Sequence, residues 1–172
     1  PSIEFVNLSD HELSDIVAYI RSLPPVDRDL GRVKFGPVFT FVMAFDSSAL
    51  VAFNIDHEKA HAVEPPQSAP TAEFGEHLVQ VCRGCHGENL SGGKIQGDPN
   101  MPIVANLTPH ETGLKDWTEA DFIRALRDGK RKDDSAISEY MPWRAYGQMS
   151  DAELKAIWAY LRTVPAVEKG NR

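Results

Sequence analysis

The sequence predicts an all-α fold with long loops. Three observations carry that expectation. Apolar residues recur at i, i+3, i+4 and i+7 near both ends of the chain, as Leu13, Ile16, Val17, Ile20 and as Leu154, Ile157, Trp158, Leu161, the stripe of an amphipathic helix. Each stripe follows a Ser-x-x-Glu box, Ser9 with Glu12 and Ser150 with Glu153, in which the serine takes the N3 amide and the glutamate reaches back to the N-cap. No segment shows the period-2 alternation of a half-buried strand. The 172 residues suit about one domain with room for part of a second. A hydrophobic share of 42% with 25% charged residues excludes a wholly disordered chain.

The first helix is expected at about 10–23, with Leu8 and Leu13 as a hydrophobic staple and Pro24 as its stop. Its sequence recurs. Residues 1–26 align on 142–167 without gaps at an offset of 141, with eleven of 26 positions identical, which favours duplication over two similarly capped helices. Residues 27–70 read as a connector. It holds an apolar stretch at 35–45 and another at 49–55, expected to form one or two short helices, and a Pro-rich boundary loop at 64–71. A compact unit then begins at Thr71. It opens with a helix over about 72–82, with Phe74, Leu78 and Val81 on one face. A loop rich in Gly and Pro follows over 84–116, then a helix at about 118–128 with Thr118 or Asp116 as N-cap and Gly129 as its C-terminal stop. A second loop leads through Met141 to the last helix, stapled by Met149 and Leu154 and stopped by Pro165.

Charge narrows the function. Twenty-five acidic side chains against 18 basic ones give a net charge of −7, which argues against a nucleic-acid partner. The apolar stretch at 35–45 ends at Asp46, well short of the roughly 18 residues of a membrane span. The chain opens PSIEFVNLSD, without the basic start and apolar run of a signal peptide.

The two cysteines, Cys82 and Cys85, are too few for a disulfide scaffold, and their spacing suggests chemistry. Cys82-Arg83-Gly84-Cys85-His86 is C-x-x-C-H, the attachment pattern of a c-type haem. Two thiols one helical turn apart can reach the two vinyl groups on one porphyrin edge. The histidine that follows is then held under the iron. A thioredoxin-like pair would sit in a βαβ pattern, and none is visible here. A zinc site would need about four ligands. Among the other histidines, His11, His57, His61, His77 and His110, only His57 and His61 stand at i,i+4, and they lie in the connector.

Haem iron takes a sixth ligand or keeps an open site, and methionine raises the potential of electron-transfer haems. Met43 sits in the apolar connector and reads as buried filler. Met101 follows His86 closely, in a loop expected to line the haem edge. Met149 is accounted for as a staple residue. Met141, in Tyr140-Met141-Pro142-Trp143, remains.

At these residues the chain resembles the class I c-type cytochromes, and specifically the tandem-haem cytochrome c subunits of bacterial periplasmic dehydrogenases for alcohols, aldehydes and related substrates. The resemblance covers 71–168 as a complete haem domain and 1–26 as the C-terminal tail of another, with 27–70 as connector. It rests on Cys82 to His86 with Gly87, Asn106-Leu107-Thr108-Pro109, Thr112-Gly113-Leu114 followed by Trp117-Thr118, Phe122 to Gly129, Met141-Pro142-Trp143, and Met149-Ser150-Asp151 onward to Tyr160-Leu161-Arg162. It implies a class I cytochrome c fold, thioether anchoring at Cys82 and Cys85, axial ligation by His86 and Met141, and single-electron transfer without a bound substrate. The implied partners are a dehydrogenase donor and a cytochrome or oxidase acceptor. Lys115 departs from the pattern, since relatives often carry glycine there. The larger departure is the missing first haem domain.

Further expectations follow. The first and last helices of such a domain cross closely, and Gly75 suits the crossing, facing Tyr160 or Ile157. Trp117, Trp143, Tyr146, Phe122 and Leu126 read as haem-pocket or core residues. Arg124, Arg127, Lys130, Arg131 and Lys132 read as a solvated helix end that favours its dipole, or else as a docking patch or a counter-charge to the haem propionates. Residues 1–26 hold no cysteine or methionine, so one haem c per chain is expected. Thioether formation implies export to the periplasm, with the export signal outside this chain. The apolar face of the first helix and the stretch at 35–45 are expected to be covered, preferably in a homodimer through residues 1–60. The rival reading is a haem enzyme or sensor with a displaceable methionine and an open iron site, for which Glu139 is the nearest acid in sequence.

Overall fold

A computed structural model of the chain describes residues 5–29, 31–32, 34–45, 55–95 and 100–171. The start of the repeat, at 1–4, and nearly all of the second apolar stretch of the connector, at 49–54, lie outside the described residues. Regular structure among the described residues is helical: α1 Asp10–Ser22, α2 Pro37–Phe45, α3 Ala72–His86, α4 Glu119–Asp128, α5 Trp143–Tyr146 and α6 Asp151–Leu161. Two isolated bridges, Gly93 with Val104 and Lys130 with Ala136, pin loops without building a sheet. The chain divides into two compact units, Pro1–Pro65 and Pro66–Arg172.

In the first unit α1 forms behind the expected capping box. Ser9 Oγ accepts from the Glu12 amide at 3.2 Å, and the Glu12 carboxylate accepts from the Ser9 amide at 2.8 Å. The Asp10 amide donates to the Ala62 carbonyl at 2.9 Å and the His11 amide to that of Val63 at 3.2 Å. The start of α1 is thereby tied to the end of the connector. Its apolar stripe is not covered: Leu13 is 41% exposed, Ile16 40% and Ile20 58%. The nine-residue α2 carries no charge, and its Phe41 and Phe45 are likewise exposed.

The second unit is built on the crossing of α3 and α6. Val79, Leu90, Leu114, Phe122, Leu126, Leu154, Ile157 and Leu161 form its core. Gly75 is the close point. A Cβ there would lie 1.9 Å from the Ala156 carbonyl oxygen and 2.9 Å from Tyr160 Cβ. The expected approach to Tyr160 is present, and Ala156 takes the place of Ile157. The capping boxes of α4 (Thr118 with Asp121) and α6 (Ser150 with Glu153) both form, and Gly129 closes α4 at φ +65°.

Two expectations about α3 are corrected. It continues through Gly84 to His86 and ends at Gly87, φ 83°, because a glycine within a helix costs only about 1 kcal/mol against alanine. Its buried face holds Phe74, Gly75 and Val79, whereas Val81 is 40% exposed. The register is set by the glycine contact with α6, one position away from the stripe read from the large apolar residues. The short helix α5 follows Pro142 within the segment expected to be loop.

Candidate cofactor site

Extending α3 to His86 places Cys82, Cys85 and His86 at i, i+3 and i+4, on one face of its last turn. All three line a single cavity of about 720 Å³, within the roughly 300–1,000 Å³ typical of cofactor and small-molecule sites. The opposite elements supply Leu107, Leu114, Trp117, Phe122, Leu126, Tyr146, Ile157 and Leu161, a predominantly apolar wall. Met141 lines this cavity, and so do Met101 and Met149. Cys82, Cys85, His86 and Met141, the four residues singled out in the sequence, thus share one cavity. Proximity alone does not separate Met141 from the other two methionines. Met43 belongs to α2 in the first unit and is partly exposed.

The histidine is held in one tautomer. His86 is 6% exposed, and its Nδ1 lies 2.8 Å from the Ala105 carbonyl oxygen. A carbonyl only accepts, so Nδ1 carries the proton and the lone pair of the neutral ring is on Nε2. That second contact orients a metal-ligating imidazole and raises its basicity. Sequence reasoning missed Ala105; only its position just before the Asn106-Leu107-Thr108-Pro109 motif could have drawn attention to it.

Burial pushes the Cys82 thiol up to about 12, the neighbouring Cys85 adding to the rise and Arg83 opposing it. This pocket therefore favours a neutral sulfur over a thiolate, which suits a thioether and disfavours a reactive redox pair. Among the described residues no three His, Cys, Asp or Glu side chains gather as metal ligands. Trp143, read from the sequence as a haem-pocket or core residue, does not line the cavity; its ring lies against Gly129. Cavity size, apolar wall, two cysteines one turn apart and an oriented imidazole all fit a haem.

The basic cluster divides in two. Arg124 is paired with Asp134 at 2.8 Å, and Arg127 with Asp151 at 2.8 Å. Arg131 and Lys132 line the cavity, as does Lys169 from the C-terminal segment. Arg131 donates to Ser135 Oγ and the Ala136 carbonyl, and Lys132 to the Asp116 carbonyl. Glu139, the acid nearest Met141 in sequence, does not line the cavity; its carboxylate is bound by Arg144 at 2.7 Å. Lys115 lies on the surface, 2.7 Å from Glu111.

Comparison with known proteins covers the segment that holds these residues. The family model described as cytochrome c oxidase, cbb3-type, subunit III matches residues 69–161. The chain is 34% identical over 117 residues to the fructose dehydrogenase cytochrome subunit of Gluconobacter japonicus, covering 61% of this chain and 24% of that protein. It is 33% identical over 107 residues to the gluconate 2-dehydrogenase cytochrome c subunit of Pantoea cypripedii, covering 57% and 24%. A diheme cytochrome c-type protein of Cereibacter sphaeroides is 28% identical over 182 residues, 98% of this chain and 59% of its own length. The chain thus spans about a quarter of the dehydrogenase subunits it matches.

Proposed function

Because the chain belongs to the c-type cytochrome family of cbb3-type cytochrome c oxidase subunit III, we propose that it is a one-electron carrier built on a single covalent haem c, with His86 and Met141 as axial ligands. Its helical second unit is the class I cytochrome c fold of that family. The observation that carries the assignment is the convergence of Cys82, Cys85, an Nδ1-bonded His86 and Met141 on one apolar cavity.

When bound, the haem supplies reversible one-electron chemistry at iron. The chain's own residues do the rest. Cys82 and Cys85 anchor one porphyrin edge and fix its rotation. His86 presents Nε2, held there by the Ala105 carbonyl. Met141 offers a soft, uncharged donor, which favours the reduced state. The apolar wall excludes water, so the charge change at the iron meets few mobile dipoles. No catalytic step is assigned to the chain itself.

The donor we propose is a periplasmic dehydrogenase and the acceptor a cytochrome or oxidase, supported by the names of the similar dehydrogenase subunits. We keep 1–26 as the remnant helix of an upstream haem domain, 27–70 as connector and 71–168 as the haem domain, supported by the 141-residue repeat. Maturation in the periplasm is part of the same proposal, because thioether formation needs reduced thiols and delivered haem. No helix among the described residues is long and apolar enough to cross a membrane. Visible spectra test the assignment: the protein should cycle between an oxidised and a reduced haem spectrum with a single midpoint. A spectrum without haem bands would overturn it.

We further propose self-association through residues 1–60, supported by the exposed stripe of α1 and the exposed phenylalanines of α2. Leaving such side chains in water forgoes roughly 1.5–3 kcal/mol each. Sedimentation should give a dimer at micromolar concentration and a monomer once residues 1–60 are removed. A monomer in both forms rules the dimer out.

A further inference from the structure

We propose that Asn106 and Thr108, gripped by the chain segment after α6, form a clamp that aims the Ala105 carbonyl at His86 and so sets the strength of that hydrogen bond. The inference rests on the reading of His86 as an iron ligand and adds two positioning residues to it. Asn106 is 2% exposed and Thr108 fully buried. Asn106 Nδ2 donates to the Val167 carbonyl at 2.7 Å and to Thr112 Oγ1 at 3.1 Å. Its Oδ1 accepts from the Thr108 amide at 2.9 Å. Thr108 Oγ1 accepts from the Val167 amide at 3.2 Å, and its hydroxyl proton has Asn106 Oδ1 at 2.8 Å and the Val167 carbonyl at 3.0 Å. The Lys169 amide donates to Thr112 Oγ1 at 3.0 Å. A loop with no regular structure of its own is thus laced to the C-terminal segment through buried polar groups.

The lacing acts on one peptide plane. Before Ala105, Val104 exchanges two hydrogen bonds with Gly93, at 3.0 and 2.9 Å. After it, Asn106 is clamped, and the Leu107 amide donates to the Leu90 carbonyl at 2.9 Å. The Ala105 oxygen itself abuts Gly92, where a Cβ would lie 2.2 Å from it. The carbonyl therefore has little freedom to turn away from Nδ1. Partners beyond a metal ligand orient it and tune its basicity. Releasing the clamp lets the Ala105–Asn106 plane rotate, weakens the Nδ1–H bond and leaves His86 a poorer donor.

The test uses the haem-loaded full chain with ¹⁵N-labelled histidine. Asn106→Ala and Thr108→Val should each speed solvent exchange of the His86 Nδ1 proton about tenfold, the change that losing one net hydrogen bond permits, and should raise the reduction potential. Thr108→Ser, which keeps the hydroxyl, should restore both readouts. Thr108→Val nearly preserves side-chain volume and carries the test if Asn106→Ala does not accumulate. Parent-like exchange and potential in Thr108→Val would overturn the clamp. His86 ring signals that do not shift between oxidised and reduced parent protein would instead overturn its reading as a ligand.

Discussion

Replacing Met141 by alanine should abolish the weak band near the red end of the oxidised spectrum and lower the reduction potential by about 0.1–0.3 V, within the span of roughly 0.8 V that axial ligands command. The band reports charge transfer from thioether sulfur to ferric iron. Loss of the thioether removes the ligand that stabilises the reduced state. Met141 is partly buried and lines the same cavity as His86. Met101 and Met149 line it too, so three single substitutions decide between them. Met149 precedes the Ser150 cap and is packed against the core. Met149→Ala should therefore lower stability and leave the band in place. Met101→Ala should also leave it. If either removes the band while Met141→Ala keeps it, the ligand is misassigned.

Gly75→Ala should be among the most damaging single-methyl additions in the chain. The added carbon would meet the Ala156 carbonyl oxygen at 1.9 Å. Two backbones face each other there, so no side chain can swing aside. The helices must separate, and α3 carries both cysteines and His86 while α6 contributes Ile157 and Leu161 to the cavity. Overpacking in a well-filled core costs typically about 1–3 kcal/mol, and a backbone contact lies at or above the upper end. Denaturant unfolding of the holoprotein should show a lower midpoint with an unchanged slope. A midpoint within error of the parent would mean that the crossing is looser than described.

Much of the helical frame was legible because caps and stops are local. The Ser-x-x-Glu boxes, Thr118 and Gly129 place the starts of α1, α4 and α6 and the end of α4 within about a residue. The face and length of α3 were less legible. Both are set by contacts distant in sequence, the Gly75 approach to α6 and the continuation through Gly84. The site divides the same way. Cys82, Cys85 and His86 declare themselves in five consecutive residues. Ala105 contributes only a backbone carbonyl, which any residue type could supply, and the grip of Val167 on Asn106 spans 61 residues. The exposed stripe of α1 could not be read at all. It repeats the α6 stripe position for position, yet α6 is buried on α3 and α1 buries none of its residues.

Intact-mass measurement under denaturing conditions addresses the covalent haem most directly. Protein matured in a bacterial periplasm should weigh the chain plus one haem, and Cys82→Ser with Cys85→Ser should release that haem on denaturation. A mass equal to the bare chain, with both thiols open to alkylation, would contradict the assignment; so would a mass corresponding to two haems.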